Sequence, residues 1–167
     1  MNFDDPRYLR ILGRAAELGL CVLIHAGLDV GLPGVVHASP GMIVHALKEV
    51  GPMKLILAHM GGWRCWNEAA ELLAGTGVYI DTSFSLGAMT PNGDGYYQSE
   101  DGLRLLDEKH FVTLICAFGA DRVLFGTDSP WADQEDAMKA FSRLPLTEDE
   151  KALILHQNAE KLLDIGR

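Results

Sequence analysis

The stretch Val123-Leu-Phe-Gly-Thr-Asp-Ser-Pro-Trp131 indicates how this chain folds. Three apolar residues lead into a Gly-Thr pair and the carboxylate of Asp128, and a Ser-Pro-Trp sequence then turns the chain away. This pattern is typical of a short buried strand that presents an acid at its carboxyl end. In parallel sheets and barrels the loops that carry chemistry converge at that end.

Three earlier segments follow the same plan. Val22-Leu-Ile-His25 is followed by Ala-Gly, Leu55-Ile-Leu-Ala-His59 by Met-Gly-Gly, and Val78-Tyr-Ile-Asp81 by Thr-Ser. Because the carboxyl ends of parallel strands meet at one edge, we expect His25, His59 and Asp128 to share a site. The alternative is structural: each histidine bonds to nearby backbone, and Asp128 or Ser129 caps a helix.

Amphipathic helical patterns lie between the predicted strands. They predict helices starting at Pro6, Pro40, Trp63, Asp107, Gln134 and Thr147, and a final short helix capped by Asn158. Strands that alternate with helices imply a parallel sheet with right-handed crossovers, so we expect one α/β domain over residues 1–167. The glycine-rich segments 26–38 and 84–101 are long enough to cover a site.

Composition limits the possible functions. The 167 residues carry a net charge of −9, which argues against nucleic-acid and anionic-membrane binding. No apolar run is long enough to span a membrane, and the first residues lack the pattern of a signal peptide. Three cysteines without a Cys-x-x-Cys pair suggest free thiols in a reducing cytoplasm.

Other side chains near the strand ends are candidate substrate contacts. Asp81 and Ser83 can line the same cavity, Trp63 and Trp131 can form an aromatic wall with Trp66, and Arg64 can pair with a substrate carboxylate. Each has an ordinary structural alternative, since aromatic residues at helical spacing usually pack in a core and an exposed arginine needs no ligand.

Four of these segments together resemble the second half of the amidohydrolase-2 family, and the match extends over nearly the whole chain. They are Ile24-His-Ala-Gly27, Leu57-Ala-His-Met-Gly-Gly62, Tyr79-Ile-Asp-Thr-Ser83 and Leu124-Phe-Gly-Thr-Asp-Ser-Pro-Trp131, and the tail Asn158-Ala-Glu-Lys-Leu-Leu163 is similar as well. Members of that family are metal-dependent hydrolases and non-oxidative decarboxylases on a TIM-type barrel.

The resemblance implies roles for three residues. His25 resembles a metal ligand, His59 resembles a histidine that acts in catalysis or as a further ligand, and Asp128 resembles the acid that binds metal and moves a proton. A divalent ion, zinc first and manganese as the alternative, would lower the pKa of a bound water toward neutrality.

The chain departs from the family in one large respect. No predicted strand carries a His-x-His or Glu-x-His pair to supply the first-strand ligands, since the triplet Glu108-Lys109-His110 lies in a predicted helix. A TIM barrel also typically needs about 250 residues. The expected architecture is therefore half of a barrel, with four strands and flanking helices, either as a natural half or as a piece of a longer chain. Four parallel strands leave apolar edges open, which predicts self-association into at least a homodimer.

Three functional hypotheses follow. The first is a metal-dependent hydrolase that acts on a small organic molecule, which is carboxylate-bearing or cyclic, with non-oxidative decarboxylation as a variant on the same site. The second is a non-catalytic half-barrel that serves as an assembly module. The third is an unrelated open α/β domain, although no glycine-rich nucleotide loop supports it.

Overall fold

Four parallel strands form the centre of the molecule. The structure is a computed structural model, and it describes residues 1–29, 31–32, 34–86 and 105–165. The strands lie in the order β1-β2-β3-β4. Their bounds are Cys21–Ile24 (β1), Lys54–Leu57 (β2), Tyr79–Asp81 (β3) and Val123–Leu124 (β4). The predicted half-barrel of four parallel strands is confirmed. Most of the predicted covering segment 84–101 lies outside the described residues.

The register of the sheet brings the strand ends level. Cys21 pairs with Lys54, Ile56 with Tyr79, and Ile80 with Val123, all in parallel ladders. The residues that follow each strand therefore leave the sheet along one edge. His25, His59 and the segment around Asp128 start from this edge although they are far apart in the chain.

The described residues contain seven α-helices. Their bounds are Pro6–Glu17 (α1), Pro40–Val50 (α2), Trp66–Leu73 (α3), Glu108–Phe118 (α4), Gln134–Ser142 (α5), Glu148–Ala152 (α6) and Asn158–Leu163 (α7). A 3-10 turn, Ala120–Arg122, precedes β4, and a π-helical segment, Leu153–Gln157, joins α6 to α7. The predicted start of α3 at Trp63 is wrong, because residues 63–65 form the turn that connects the site to the helix.

Sequence signals account for several helix starts. Asp5 and Ser39 each precede a proline at the first helical position and accept a hydrogen bond from a backbone N–H of the first turn. Thr147 and Glu150 form the predicted capping box, in which each side chain bonds to the other residue's backbone. These local contacts fix where the helices enter the fold.

The two faces of the sheet pack differently. Alternate strand residues such as Leu55, Leu57 and Ile80 join the main core with helices α1–α4. The residues between them, including Ile56, Tyr79 and Leu124, form a second cluster with Leu162 of α7. The carboxy-terminal helix thus covers part of the face that would line the inside of a barrel.

Asn158 has a different role from the predicted one. It does not cap a helix, because α7 continues directly from the π-helical segment and its first turn has no side-chain cap. Its buried amide instead donates to the carbonyl oxygens of Ala120 at 2.8 Å and Val123 at 2.7 Å. The side chain therefore ties the terminal helices to β4.

The edge of the sheet at β1 is exposed. Leu23 lies on the inner face of this edge strand with 61% of its surface accessible, and Leu18 and Leu20, in the turn before β1, are also exposed. Within the described residues no helix is long and apolar enough to cross a membrane.

Candidate functional site

Two histidine rings meet at the carboxyl ends of the strands. His25 follows β1 directly, and His59 lies two residues beyond β2. Nδ1 of His25 and Nε2 of His59 are 2.9 Å apart, and the ring planes are inclined by 60°. The structure thus brings together two of the predicted site residues that are 34 positions apart in sequence.

Backbone carbonyls fix the outer nitrogen of each ring. Nε2 of His25 lies 2.9 Å from the carbonyl oxygen of Leu28, and Nδ1 of His59 lies 3.0 Å from that of Ser83. A carbonyl oxygen only accepts, so each outer nitrogen carries the hydrogen. In two neutral rings the facing nitrogens then both present lone pairs. A positive charge between them, either a proton or a metal ion, removes this conflict.

The buried carboxylate of Asp81 accepts hydrogen bonds that hold His59 and Ser83 in place. Oδ1 of Asp81 accepts from the backbone N–H of His59 and of Ser83, each at 3.0 Å, and from the Ser83 hydroxyl. Burial raises the pKa of the Asp81 carboxyl, and the hydrogen bond from the Ser83 hydroxyl opposes that shift. Asp81 and Ser83, predicted to contact substrate, therefore hold a neighbouring side chain and backbone turn.

Burial also controls the protonation of His59. Removal from water lowers the pKa of its imidazole, while the Ser83 carbonyl and the negative charges of Asp81 and Asp128 act in the opposite direction. The pKa of the His59 imidazole is lowered overall, so this ring stays neutral at a lower pH than a solvent-exposed histidine does. A neutral ring is able to accept a proton or to bind a metal ion.

The loops around this pair contain most of the left-handed backbone of the molecule. Six non-glycine residues in the described part of the chain have positive φ, and five of them follow β2, β3 or β4: His59, Met60, Arg64, Phe84 and Asp128. Left-handed backbone costs such residues roughly 1–2 kcal/mol each and persists only where surrounding contacts enforce it. Because these residues cluster in the loops at the carboxyl ends of the strands, we call these loops the rim and treat them as a candidate functional site.

Backbone hydrogen bonds join the first covering loop, residues 26–38, to the loop that follows β2. Trp63 N–H donates to the carbonyl of Ala26 at 2.7 Å, and Leu28 N–H donates to the carbonyl of Trp63 at 3.0 Å. A Cβ at Gly27 would lie 2.4 Å from the backbone nitrogen and oxygen of Trp63. Only glycine permits this close approach, which sets the distance between the two histidine-bearing loops.

A cavity of about 320 Å³ opens beside His25. Asp29 and His37 contribute polar groups to it, and Phe3, Tyr8 and Leu23 contribute apolar surface. Neither residue belongs to a strand-end motif, since both lie in the covering loop 26–38. Both residues come from segments whose path depends on contacts distant in sequence.

Asp128 lies on the same rim but outside the histidine pair. It is exposed, and its charge still influences His59. Among the described residues, no group of three or more His, Cys, Asp or Glu side chains is close enough to hold a metal ion. The alternative that Asp128 or Ser129 caps a helix is wrong, because Asp133 caps α5. In this geometry the described residues offer a cation two imidazole nitrogens, one fewer than the three protein ligands of a typical catalytic zinc site.

The remaining predicted contacts lie in three different places. Trp63 is 2% exposed, and its ring packs against Phe84 and Trp66 at centroid distances of 4.9 and 5.4 Å. Arg64 lines a separate cavity of about 710 Å³ between α3 and α4, whereas Trp131 is exposed near β4. As substrate contacts these three residues stay predictions.

The whole described fold matches one known protein family. Residues 1–165 match the family model for amidohydrolases of the amidohydrolase-2 type. This chain is a member of the amidohydrolase-2 family. The resemblance stated from the strand-end motifs is confirmed, and the match runs through all four strands. No curated protein sequence matches the chain.

Solved structures share the fold of this member of the amidohydrolase-2 family. An uncharacterized TIM-barrel protein from Bordetella bronchiseptica is 24% identical, with a TM-score of 0.73 over 100% of this chain and 54% of its own. A dihydroxybenzoic acid decarboxylase from Polaromonas, solved with manganese and 2-nitroresorcinol, is 18% identical, with a TM-score of 0.67 over 100% of this chain and 56% of its own.

A third similar structure is a Pseudomonas putida protein assigned as a 2-pyrone-4,6-dicarboxylic acid hydrolase. It is 19% identical, with a TM-score of 0.67 over 100% of this chain and 60% of its own. The chain therefore spans a little over half the length of these structures. The four described strands correspond to part of a TIM-type barrel.

Proposed function

We propose that this amidohydrolase is a metal-dependent hydrolase that acts on a small organic molecule, either carboxylate-bearing or cyclic. The observation that carries the proposal is the pair of facing nitrogens of His25 and His59, whose outer N–H groups are committed to carbonyls. Such a pair is built to share a cation. A divalent ion bound there would polarise a substrate oxygen and lower the pKa of a bound water toward 7.

The spacing of the two nitrogens is compatible with one shared ion. Two ligands about 2.1 Å from a metal and at right angles to each other lie about 3.0 Å apart, and tetrahedral ligands lie about 3.4 Å apart. The observed separation is 2.9 Å. Zinc is the first proposed ion and manganese the alternative, and the Polaromonas decarboxylase that shares the fold was solved with manganese.

Three side chains would have separate roles in the reaction. His25 would hold the ion through Nδ1, with its ring fixed by the Leu28 carbonyl. His59, neutral and buried, would bind the ion or transfer a proton at Nε2. Asp128, exposed on the same rim, would join as a ligand or accept the proton of the attacking water.

Non-oxidative decarboxylation is the second candidate. It is favoured by the fold shared with the Polaromonas decarboxylase named above and with a 2,6-dihydroxybenzoate decarboxylase from Rhizobium, at 19% identity and a TM-score of 0.64. In this reaction His59 would first take up a proton at Nε2 and then transfer it to the carbon that loses the carboxyl group. A panel of carboxylated rings and cyclic esters, assayed for bicarbonate and for ring-opened product, distinguishes the two reactions.

Metal analysis tests the site directly. We expect one zinc or manganese ion for each His pair after dialysis with the metal, measured by plasma mass spectrometry. His25→Ala and His59→Ala should each weaken binding by roughly 10-fold to 1,000-fold, because one imidazole of the pair is lost. Asp128→Ala should weaken it less if this residue chiefly moves protons.

An exposed histidine supplies the matched control. His156→Ala removes a ring that bonds only to Glu160 on the surface, so its metal content should equal that of the parent protein. If the folded protein binds no metal, or binds it equally well after His25→Ala, the enzyme hypothesis fails. A non-catalytic half-barrel would then be the better description.

We also propose that two copies of the chain associate. The edge at β1 is open, its Leu23 side chain is exposed, and the structures with the same fold continue beyond the part that this chain matches. The β1 edge is the open one, because the outer edge of β4 already bonds to the chain's own terminal helices: the Val123 carbonyl accepts from Asn158, and Phe125 N–H donates to Ile154. Two copies would therefore meet through β1 and the exposed Leu23 side chain, since α7 already covers part of the inner face.

A further inference from the structure

The turn after β2 is held by a residue from the next strand. His59 and Met60 have φ of 62° and 57°, so two successive non-glycine residues adopt left-handed backbone. Their N–H groups both point to Asp81: His59 donates to its side chain at 3.0 Å, and Met60 donates to its backbone oxygen at 2.7 Å. Asp81 thus satisfies consecutive donors that no helix or ladder serves.

The same carboxylate fixes the group that orients the His59 ring. Its Oδ1 also accepts from the N–H and the hydroxyl of Ser83, which sets the position of the Ser83 carbonyl. That carbonyl accepts from Nδ1 of His59 at 3.0 Å. Ser85 adds a hydroxyl bond to the same carbonyl at 2.9 Å. Asp81 therefore controls both the backbone and, through Ser83, the ring of His59.

No other charged group shares this task. Asp81 is 7% exposed, and it forms no ion pair with a lysine or arginine within the described residues. A buried carboxylate without a cationic partner is costly unless its hydrogen bonds compensate. Here all the bonds to its Oδ1 come from His59 and Ser83, which together place one imidazole.

We propose that Asp81 is a positioning residue, whose carboxylate holds the left-handed turn at His59 and thereby directs Nε2 of that ring toward His25. It acts through His59 and not on the substrate. Its importance for activity rests on the proposed function, in which His59 binds metal or transfers a proton. The positioning itself does not depend on that function.

Nuclear magnetic resonance of the metal-free protein tests the positioning. The parent should show His59 as a single tautomer with hydrogen on Nδ1, seen as two well-separated ring nitrogen signals. Asp81→Asn keeps an acceptor but loses the charge, so the amide proton signals of His59 and Ser83 should move upfield while the tautomer is retained. Asp81→Ala should bring the two ring nitrogen signals together.

Thr82→Val is the matched control. Thr82 is the buried neighbour of Asp81, but its hydroxyl bonds the N–H and carbonyl of Gly126 at 2.9 Å each, on the side of β4. This variant should shift the Gly126 amide signal and leave the His59 ring unchanged.

Two results would overturn the proposal. One is an Asp81→Asn protein whose His59 and Ser83 amide signals match those of the parent, a measurement that does not require Asp81→Ala to fold. The other is a Thr82→Val protein whose His59 tautomer changes as much as in Asp81→Ala. Failure of metal binding with the expected tautomer changes would reject the proposed function and leave the positioning role intact.

Discussion

At the scale of single residues, the site depends on atoms that are specified by neighbours distant in the chain. His25 and His59 were recognised from strand-end position alone, and the structure places their rings in direct contact. The carbonyls that select their tautomers belong to Leu28 and Ser83. Every residue has a carbonyl, so no sequence pattern could have indicated these two partners.

A glycine substitution tests the spacing between the two histidine loops. Gly27→Ala should lower the free energy of unfolding by about 3 kcal/mol or more, because the new Cβ meets the Trp63 backbone and the residue has a φ of 86°. Urea denaturation followed by circular dichroism measures the change. Gly13→Ala in α1, where nothing lies within 4 Å of the new Cβ, should instead stabilise the protein by up to about 1 kcal/mol. Equal effects at both positions would contradict the argument.

At the scale of secondary-structure elements, local signals predicted the strands and most helix starts. The prolines after Asp5 and Ser39 and the Thr147–Glu150 capping box lie where the helices begin. The prediction was wrong for α3 and for the cap at Asn158. In both places a tertiary contact competes with local propensity: residues before α3 bond to the first covering loop, and Asn158 bonds to the start of β4.

The attachment of the terminal helices gives a prediction at this scale. Asn158→Ala should reduce the free energy of unfolding by about 2–4 kcal/mol, because two buried carbonyls lose their donor. Thermal and urea unfolding both report the change. Asn67→Ala, at an exposed position of α3, should change stability by less than about 0.5 kcal/mol. A neutral Asn158→Ala variant would show that other contacts hold these helices to β4.

At the scale of the whole molecule, the sheet is covered unequally. Helices α1–α4 pack the main core against one face, whereas α7 covers part of the other face through Leu162 and Ala159. Lys54 supports this arrangement by donating to the carbonyl of Leu162 at 2.9 Å. The edge at β1 stays open, and an open parallel edge with exposed leucines favours association.

Self-association can be measured directly. Light scattering after size exclusion should give a mass above the 18.2 kDa of one chain, and Leu23→Lys should shift the protein toward that single-chain mass. The matched control is Leu72→Lys, which changes an exposed leucine of α3 away from the β1 edge. A parent protein of 18.2 kDa that is stably folded would refute the proposed dimer.

The sequence by itself determined the order of strands and helices, the parallel sheet, the family and the edge at which His25, His59 and Asp128 emerge. These follow from local apolar runs and turn residues, which act within a few positions of each other. Only the tertiary structure decided that the two rings face each other, that Asp81 holds the turn at His59, and that α7 covers the inner face. Those features need contacts between segments more than 20 residues apart, and their geometry depends on how the whole sheet packs.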